Sequence, residues 1–145
     1  MSATGRLPPR GGSLEVEQRL PVQPNAPMLA RQQMGRVLKP VLSASRLQDV
    51  HLAVSELVTN AVIHGHVNGA ETIGVTIRVD DAHVRVTVQQ PTLRQHPSQD
   101  AAARDARGFS DVILDHVTDR WGTDPGPPPH AWFEVDRRRL PRRSA

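Results

Sequence analysis

The feature that most constrains the fold is a helical repeat of apolar residues in the middle of the chain. These residues recur at spacings of three and four, at Leu47, Val50, Val54, Leu57, Val58, Ala61 and Val62. At 100° per residue they fill one broad arc of a helix. The run Ser45-Arg46-Leu47-Gln48 has the pattern of a capping box at its start, and Gly65 suits a left-handed cap at its end. The pattern therefore predicts an amphipathic helix over residues 45–65 with one face buried.

Upstream of this helix, the pattern predicts a strand and a second helix. Apolar residues alternate with polar ones at Leu14, Val16 and Leu20. Such alternation is typical of a short edge strand with one buried face. Asn25 is a residue type that caps helices, and Pro27 is tolerated in a first turn. We expect this helix to run to about Lys39, because Pro40 ends it.

Downstream, two alternating runs over residues 73–79 and 84–88 are joined by Asp80-Asp81-Ala82 and predict a β-hairpin. Residues 89–107 are polar and without periodicity. Apolar residues then predict a third helix, at Phe109, Val112, Ile113 and Val117. We expect one strand to start at Trp121 and a last one over residues 131–135, with Trp121 and Trp132 as core anchors.

The predicted order is β-α-α-β-β-loop-α-β-β. Runs of strands with segregated helices indicate the α+β class. We therefore expect a two-layer α/β sandwich, with the helices on one face of a mainly antiparallel sheet.

The basic charge of the chain lies at its two ends. The sequence has 18 Lys and Arg against 15 Asp and Glu, and seven of the arginines lie within residues 1–12 and 137–145. Without those seven, residues 13–136 carry 11 basic and 15 acidic side chains, a difference of −4. We expect one domain over 13–136, flanked by disordered tails at 1–12 and 137–145. A DNA-binding protein carries its positive charge on a folded face, so direct DNA binding is not expected.

Composition excludes several further classes. No run of 18 apolar residues is present, so a membrane span is not expected. The chain has no Cys, which excludes disulfide and thiolate chemistry. Its first residues lack the apolar stretch of a secretory signal, and a cytoplasmic location is therefore expected.

Three polar residues of the central helix suggest a chemical site. Glu56, Asn60 and His64 are each four residues apart, so they stack on one helical stripe. An Asn carbonyl is a hard oxygen ligand suited to Mg²⁺. A neighbouring Glu can accept the proton of a water or hydroxyl that attacks a metal-held phosphate. A solvated helix face has the same spacing, so spacing alone leaves both interpretations open.

Residues 53–64, Ala-Val-Ser-Glu-Leu-Val-Thr-Asn-Ala-Val-Ile-His, closely resemble the signature helix of the histidine-kinase-like ATPase superfamily, shared by gyrase, MutL and sensor kinases. Within it, the match is similar to the small anti-sigma-factor serine/threonine kinases of actinobacteria. Thr-Asp-Arg-Trp-Gly at 118–122 and Trp-Phe-Glu-Val at 132–135 extend the resemblance. It covers residues 14–136, and its order of elements agrees with the order predicted above.

The resemblance implies roles for particular residues. Glu56 would be the catalytic base, and Asn60 would bind the Mg²⁺ that bridges the nucleotide phosphates. His64 would sit near the phosphate end of the same helix. The polar stretch that ends at Arg107 and Gly108 would form the lid over the phosphates, where a Gly lets backbone amides approach closely.

The implied cofactors are ATP and Mg²⁺. The implied function is to sequester a sigma factor and to phosphorylate its antagonist protein on a serine or threonine, and a homodimer is the implied oligomeric form.

The sequence departs from the family pattern around the adenine. Gln90 stands where the family has an aspartate that accepts from the adenine amino group, and losing that charge costs on the order of 1–3 kcal/mol of binding. The glycines that normally follow are replaced by residues 91–94, Pro-Thr-Leu-Arg. His130 or Ala131 stands where the family has a Thr. The alternative is therefore a degenerate, non-catalytic member that acts as a protein-binding regulatory module with weak or no ATP binding.

Overall fold

The structure, a computed structural model, describes residues 13–68, 72–90, 111–126 and 128–138. The elements in chain order are β1 (Leu14–Pro21), α1 (Ala26–Leu38), α2 (Ala44–Asn68), β2 (Thr72–Val79), β3 (His83–Gln89), α3 (helical residues 111–117), β4 (Arg120–Asp124) and β5 (His130–Asp136). The predicted order of strands and helices is confirmed.

The five strands form one antiparallel sheet in the order β1-β2-β3-β5-β4. Its register places Val16 opposite Ile77, Ile77 opposite Val86, and Val86 opposite Phe133. Helix α2 packs on β2, β3 and β5, while α1 packs on β1 and α2. The expected α+β class is therefore confirmed, and β1 is the edge strand that its alternation predicted.

One face of the sheet is buried under the helices. Its side chains are Val16, Leu20, Ile73, Val75, Ile77, Val79, Val84, Val86, Val88, Ala131, Phe133 and Val135. The arc of α2 predicted from its periodicity covers them, with Val50, Val54, Leu57, Val58 and Ala61 buried. Because burying a Val, Leu or Phe side chain contributes roughly 1.5–3 kcal/mol, this interface is the main source of stability.

The start of α2 differs from the prediction. The helix begins at Ala44, and the Oγ of Ser43 accepts a hydrogen bond from the Arg46 backbone N–H at 3.2 Å. Ser43 is therefore the cap, and the predicted capping box at Ser45 is wrong. The third helical residue is an arginine whose side chain is held elsewhere, as described below.

Two other predicted helix boundaries also need correction. Gly65 is buried within α2, which continues to Asn68, so the predicted stop at Gly65 is wrong. Packing of this turn outweighs the poor helix propensity of glycine. Asn25 precedes α1 without a side-chain capping hydrogen bond, whereas Pro27 lies in the first turn as predicted.

The two tryptophans lie in different environments. Trp121 packs against the buried core, as predicted. Trp132 lies on the outer face of the sheet, where the guanidinium carbon of Arg85 is 4.1 Å from its ring centroid. Its neighbours in β5, Ala131 and Phe133, take the buried positions. The prediction of Trp132 as a core anchor is therefore wrong, because strand alternation turns it outward.

Several predicted features fall outside the described residues. These are the first tail, the lid with Arg107 and Gly108, and the second tail apart from Arg137 and Arg138. Among the described helices, none is both long and apolar enough to cross a lipid bilayer.

Candidate functional site

One flank of α2 is occupied by α1. The Nη1 of Arg31 in α1 donates to the Oγ of Ser55 at 2.9 Å, and that hydroxyl donates to the backbone carbonyl of His51 at 2.7 Å. Gly35 of α1 faces the His51 ring, since a Cβ placed there would lie 4.0 Å from Nε2. These contacts fix both the antiparallel packing of the two helices and the side of α2 on which α1 lies.

The opposite flank of α2 carries Glu56, Asn60 and His64. All three are half-buried, and each makes polar or electrostatic contacts of its own. Four residues of helix rise about 6 Å, so the three side chains form one stripe roughly 12 Å long. The structure therefore brings the three predicted site residues together on one side of one helix.

Arg46 joins the beginning of this flank to the sheet. The side chain is buried, and it pairs with Asp49 Oδ2 at 3.0 Å and with Asp119. Asp119 Oδ2 also accepts the backbone N–H of Asp136 at 2.7 Å. The 100° rotation per residue puts Arg46 on the same side of α2 as His64. The pair therefore anchors the flank that carries the candidate site.

Sequence reasoning assigned no role to Arg46 or Asp119. A signal was present, because Arg46 sits beside the apolar arc and is followed three residues later by Asp49, a spacing at which helical side chains meet. Its main partner is 73 residues away in the chain, and no local pattern indicates that contact.

His51, at the α1–α2 contact, has a perturbed pKa. Burial lowers the pKa of the imidazole below its ordinary value of 6.5, and the positive charge of Arg31 lowers it further. A hydrogen bond from the ring to the Arg31 backbone carbonyl opposes these effects. The ring Nε2 is buried without a hydrogen-bond partner among the described residues. The environment therefore favours the neutral imidazole.

Gln90 lies just beyond the end of β3. Its backbone N–H donates to the Pro129 carbonyl at 2.8 Å, and its side-chain Nε2 lies 3.5 Å from the Val88 carbonyl. Alternation along the strand directs it to the same side as Val88, the side that faces the helices. The structure therefore places Gln90 at the margin of the buried face, half-buried.

His130 and Ala131, the two residues that could occupy the position of the expected Thr, lie on opposite faces of β5. Ala131 is 5% exposed and faces the helices. His130 is on the outer face, where its Nδ1 lies 3.1 Å from the Pro128 carbonyl and its ring lines a shallow pocket of about 200 Å³ with Glu17 and Arg19. His130 is therefore not brought together with Glu56 and Asn60. Only Ala131 shares their side of the sheet, and its methyl group cannot hydrogen-bond to a ligand.

The donor set of this flank is consistent with magnesium held together with phosphates. Within the described ranges, no three His, Asp or Glu side chains are grouped so as to hold a metal ion by themselves. Mg²⁺ commonly takes one or two protein oxygens and fills its other positions with water and substrate phosphates. The amide oxygen of Asn60 can supply one such ligand.

Comparison with known proteins agrees with the fold. A family model described as a histidine kinase-like ATPase domain matches residues 20–131. Among solved structures, the RsbU and RsbW domains of Rv1364c from Mycobacterium tuberculosis align with a TM-score of 0.63 and 19% identity, over 84% of this chain. This chain spans 31% of that chain's length, and identity this low shows likeness of fold alone. No curated protein matches the chain.

Proposed function

Because the chain belongs to the histidine kinase-like ATPase domain family, we propose that it binds ATP with Mg²⁺ and phosphorylates a serine or threonine of another protein. The observation that carries this proposal is the stripe of Glu56, Asn60 and His64 on the flank of α2 that α1 leaves open. A carboxylate and a carboxamide one turn apart provide a base and a metal ligand within one site.

Each residue of the stripe has a distinct role in this proposal. The Glu56 carboxylate accepts the proton of the acceptor hydroxyl as the hydroxyl oxygen bonds to the terminal phosphorus and the bond from that phosphorus to ADP breaks. Asn60 contributes its amide oxygen to Mg²⁺, and His64 lies at the phosphate end of the stripe. When bound, Mg²⁺ would neutralise charge on the phosphates and so stabilise the transition state of such a transfer.

The remaining site residues are assigned to the nucleotide. Gln90 accepts a hydrogen bond from the adenine amino group through its side-chain carbonyl. Arg107 and Gly108, which lie outside the described residues, are assigned by the resemblance to the lid over the phosphates. The sequence assigned His130 to the adenine, but it lies on the outer face of β5. The inward position belongs to Ala131, which offers no side-chain hydrogen bond.

The proposed partners are a sigma factor, which the protein sequesters, and an antagonist protein, which it phosphorylates. The resemblance of residues 53–64 to anti-sigma-factor kinases supports this part of the proposal. Such a protein regulates transcription from the cytoplasm without contacting DNA, and a homodimer is one form in which it acts.

A non-catalytic module is the second candidate. Two observations favour it: the Gln90 side-chain amide is uncharged and lies beside Val88, and Ala131 offers no hydrogen bond to an adenine. In this alternative the fold keeps its protein partners and loses most of its affinity for ATP.

Isothermal titration with ATP tests the choice between the two candidates. We expect weak binding that requires Mg²⁺ and that Asn60→Ala abolishes. Gln48→Ala is the matched control, because it removes an exposed carboxamide from the same helix. Absence of heat at millimolar ATP and Mg²⁺ would reject the kinase in favour of the non-catalytic module.

A further inference from the structure

The surface of the helices that faces away from the sheet exposes large apolar side chains. Met28 of α1 is 44% exposed, and Leu52 and Ile63 of α2 are 45% and 52% exposed. Within the described ranges, Val112 of α3 is the one other large hydrophobic residue in this exposed class. Grouped apolar side chains on a protein surface are a mark of interaction sites.

The packing of α1 on α2 brings these side chains onto one surface. Arg31 faces Ser55 and Gly35 faces His51, so the helices run antiparallel. Extending this register puts Met28 beside the turn that carries Thr59. On α2, rotation by 100° per residue puts Leu52, Thr59 and Ile63 on one line. That line runs between α1 and the Glu56 stripe.

At one end of this surface lie two positively charged side chains that form no ion pair with the described residues. Helix α1 contains no acidic residue, and Arg36 and Lys39 are exposed at its end and just beyond it. Arg36 is level with the turn of α2 that carries Leu52, on the side of α1 turned away from α2, because it follows Gly35, which faces His51. Within the described part of the chain, neither cation forms an ion pair. Arginines on the outer face of the sheet differ, since Arg120 pairs with Glu134 at 3.0 Å and Arg78 with Glu15 at 3.4 Å.

The helix crest is the name used below for the surface formed by Met28, Arg36, Lys39, Leu52, Thr59 and Ile63. We propose that the helix crest docks an acidic, amphipathic segment of a partner protein. Carboxylates of that segment pair with Arg36 and Lys39, and its apolar side chains cover Leu52 and Ile63. Helical segments with apolar anchors bind such surfaces, and complementary charge selects them over basic ones.

The docking surface also suggests how an acceptor hydroxyl reaches Glu56, and this step alone rests on the proposed function. Leu52 precedes Glu56 by one helical turn, and Ile63 follows it by two, so the helix crest borders the stripe along its length. A partner segment seated on the helix crest brings a neighbouring hydroxyl to the Glu56 side of α2. Docking itself requires neither ATP nor a phosphate transfer.

A labelled model peptide tests the proposal in the absence of nucleotide. The probe is a helical peptide of roughly 18 residues with Leu along one face and Glu along the other, and its binding to the full chain is followed by fluorescence anisotropy. We expect Arg36→Glu/Lys39→Glu to weaken binding about tenfold or more, equivalent to ~1.4 kcal/mol, and Leu52→Asp to do the same. Arg19→Glu/Arg78→Glu makes the same change of charge on the outer face of the sheet and should leave affinity within about twofold.

Several results would overturn the proposal. One is no binding of the peptide to the unaltered protein, and another is equal weakening by the two double variants. Binding to phosphatidylglycerol vesicles but not to the peptide would identify a lipid surface instead. A dimer in sedimentation velocity that Leu52→Asp dissociates would identify a contact between copies. Circular dichroism checks that each variant is folded. Failure of the ATP titration would leave this proposal standing, and failure here would leave ATP binding standing.

Discussion

The guanidinium of Arg46 and the carboxylate of Asp119 form an ion pair that joins the first turn of α2 to the residue before β4. The two side chains are 8% and 14% exposed. Asp119 is itself held at both backbone and side chain, because its N–H donates to the Glu134 carbonyl at 3.0 Å and its Oδ2 accepts from the Asp136 N–H. The pair therefore helps to fix the rotation of α2, and with it the side on which Glu56 and Asn60 lie.

Arg46→Met should destabilise the protein strongly. The substitution leaves the Asp119 carboxylate without its buried cation, a change that typically costs about 3–5 kcal/mol. We expect a value near the lower end, about 3 kcal/mol, because the backbone N–H of Asp136 remains a partner. Urea unfolding measures it. In the control Arg78→Met, the pair with Glu15 is exposed, and a change within about 0.5 kcal/mol is expected. If Arg46→Met lowers the free energy of unfolding by no more than this control does, the Arg46 pair adds little to stability.

Two glycines on the outer face of the sheet should respond differently to alanine. A Cβ at Gly122 would lie 2.9 Å from the Trp132 ring, and one at Gly74 would lie 2.5 Å from the Gln89 amide oxygen. The indole is rigid and stacked under Arg85, whereas the Gln89 amide can rotate away at the cost of its exposed hydrogen bond with Arg19. We therefore expect Gly122→Ala to cost about 1–3 kcal/mol and to shift the tryptophan emission. Gly74→Ala should lose less stability than Gly122→Ala, although its Cβ would come closer to a neighbouring atom. A larger loss for Gly74→Ala in thermal unfolding would contradict this account.

Below neutral pH, His51 should make stability depend on pH. Burial and the charge of Arg31 lower the pKa of its imidazole in the folded state, so between that lowered value and 6.5 the unfolded chain binds more protons than the folded protein. Stability therefore falls as the pH is lowered through this window. His51→Asn keeps a donor for the Arg31 carbonyl but cannot titrate, and its loss of stability below about pH 6.5 should be smaller. Stability curves that stay parallel over this window would rule out the contribution of His51.

These contacts also explain which parts of the fold could be predicted from the sequence. The apolar period of α2 and the alternation of the strands were sufficient for the order of elements, since each is repeated over many residues. The helix start was not predictable, because Ser43 and Ser45 are both plausible caps and the contact of Arg46 with Asp119 spans 73 residues. The sequence also did not decide which residues of β5 face the helices, because this depends on pairing with a strand that is distant in the chain. A shift of one residue exchanges Ala131 with His130, and only the pairing of β5 with β3 decides between them.

Glu56→Ala tests the proposed base. Loss of a positioned general base typically lowers a rate by about 10²–10⁴-fold, so we expect phosphate transfer to a purified antagonist protein to fall at least about 100-fold. Nucleotide affinity should stay within about threefold, because the carboxylate acts on the acceptor hydroxyl. Glu17→Ala is the control, since it removes an exposed carboxylate from the outer face of the sheet. Unchanged transfer in a radiolabel assay would reject Glu56 as the base.

Gln90→Asp tests whether the margin of the buried face holds an adenine. Gln90 is kept at the end of β3 by its backbone hydrogen bond to Pro129, which the substitution leaves intact. A carboxylate at this position makes a charge-assisted bond to an amino group, stronger than the bond from an amide by on the order of 1 kcal/mol. We therefore expect titration with ATP and Mg²⁺ to show about fivefold to tenfold tighter binding.

GTP provides the control for this substitution, because guanine carries a carbonyl where adenine carries the amino group. Its affinity should fall or stay the same in the Gln90→Asp variant, since a carboxylate repels that carbonyl. Equal strengthening for both nucleotides would mean that the new charge acts at a distance. Strengthening for ATP alone would place the base of the nucleotide between Gln90 and the helices, on the side of the sheet that Glu56 and Asn60 share.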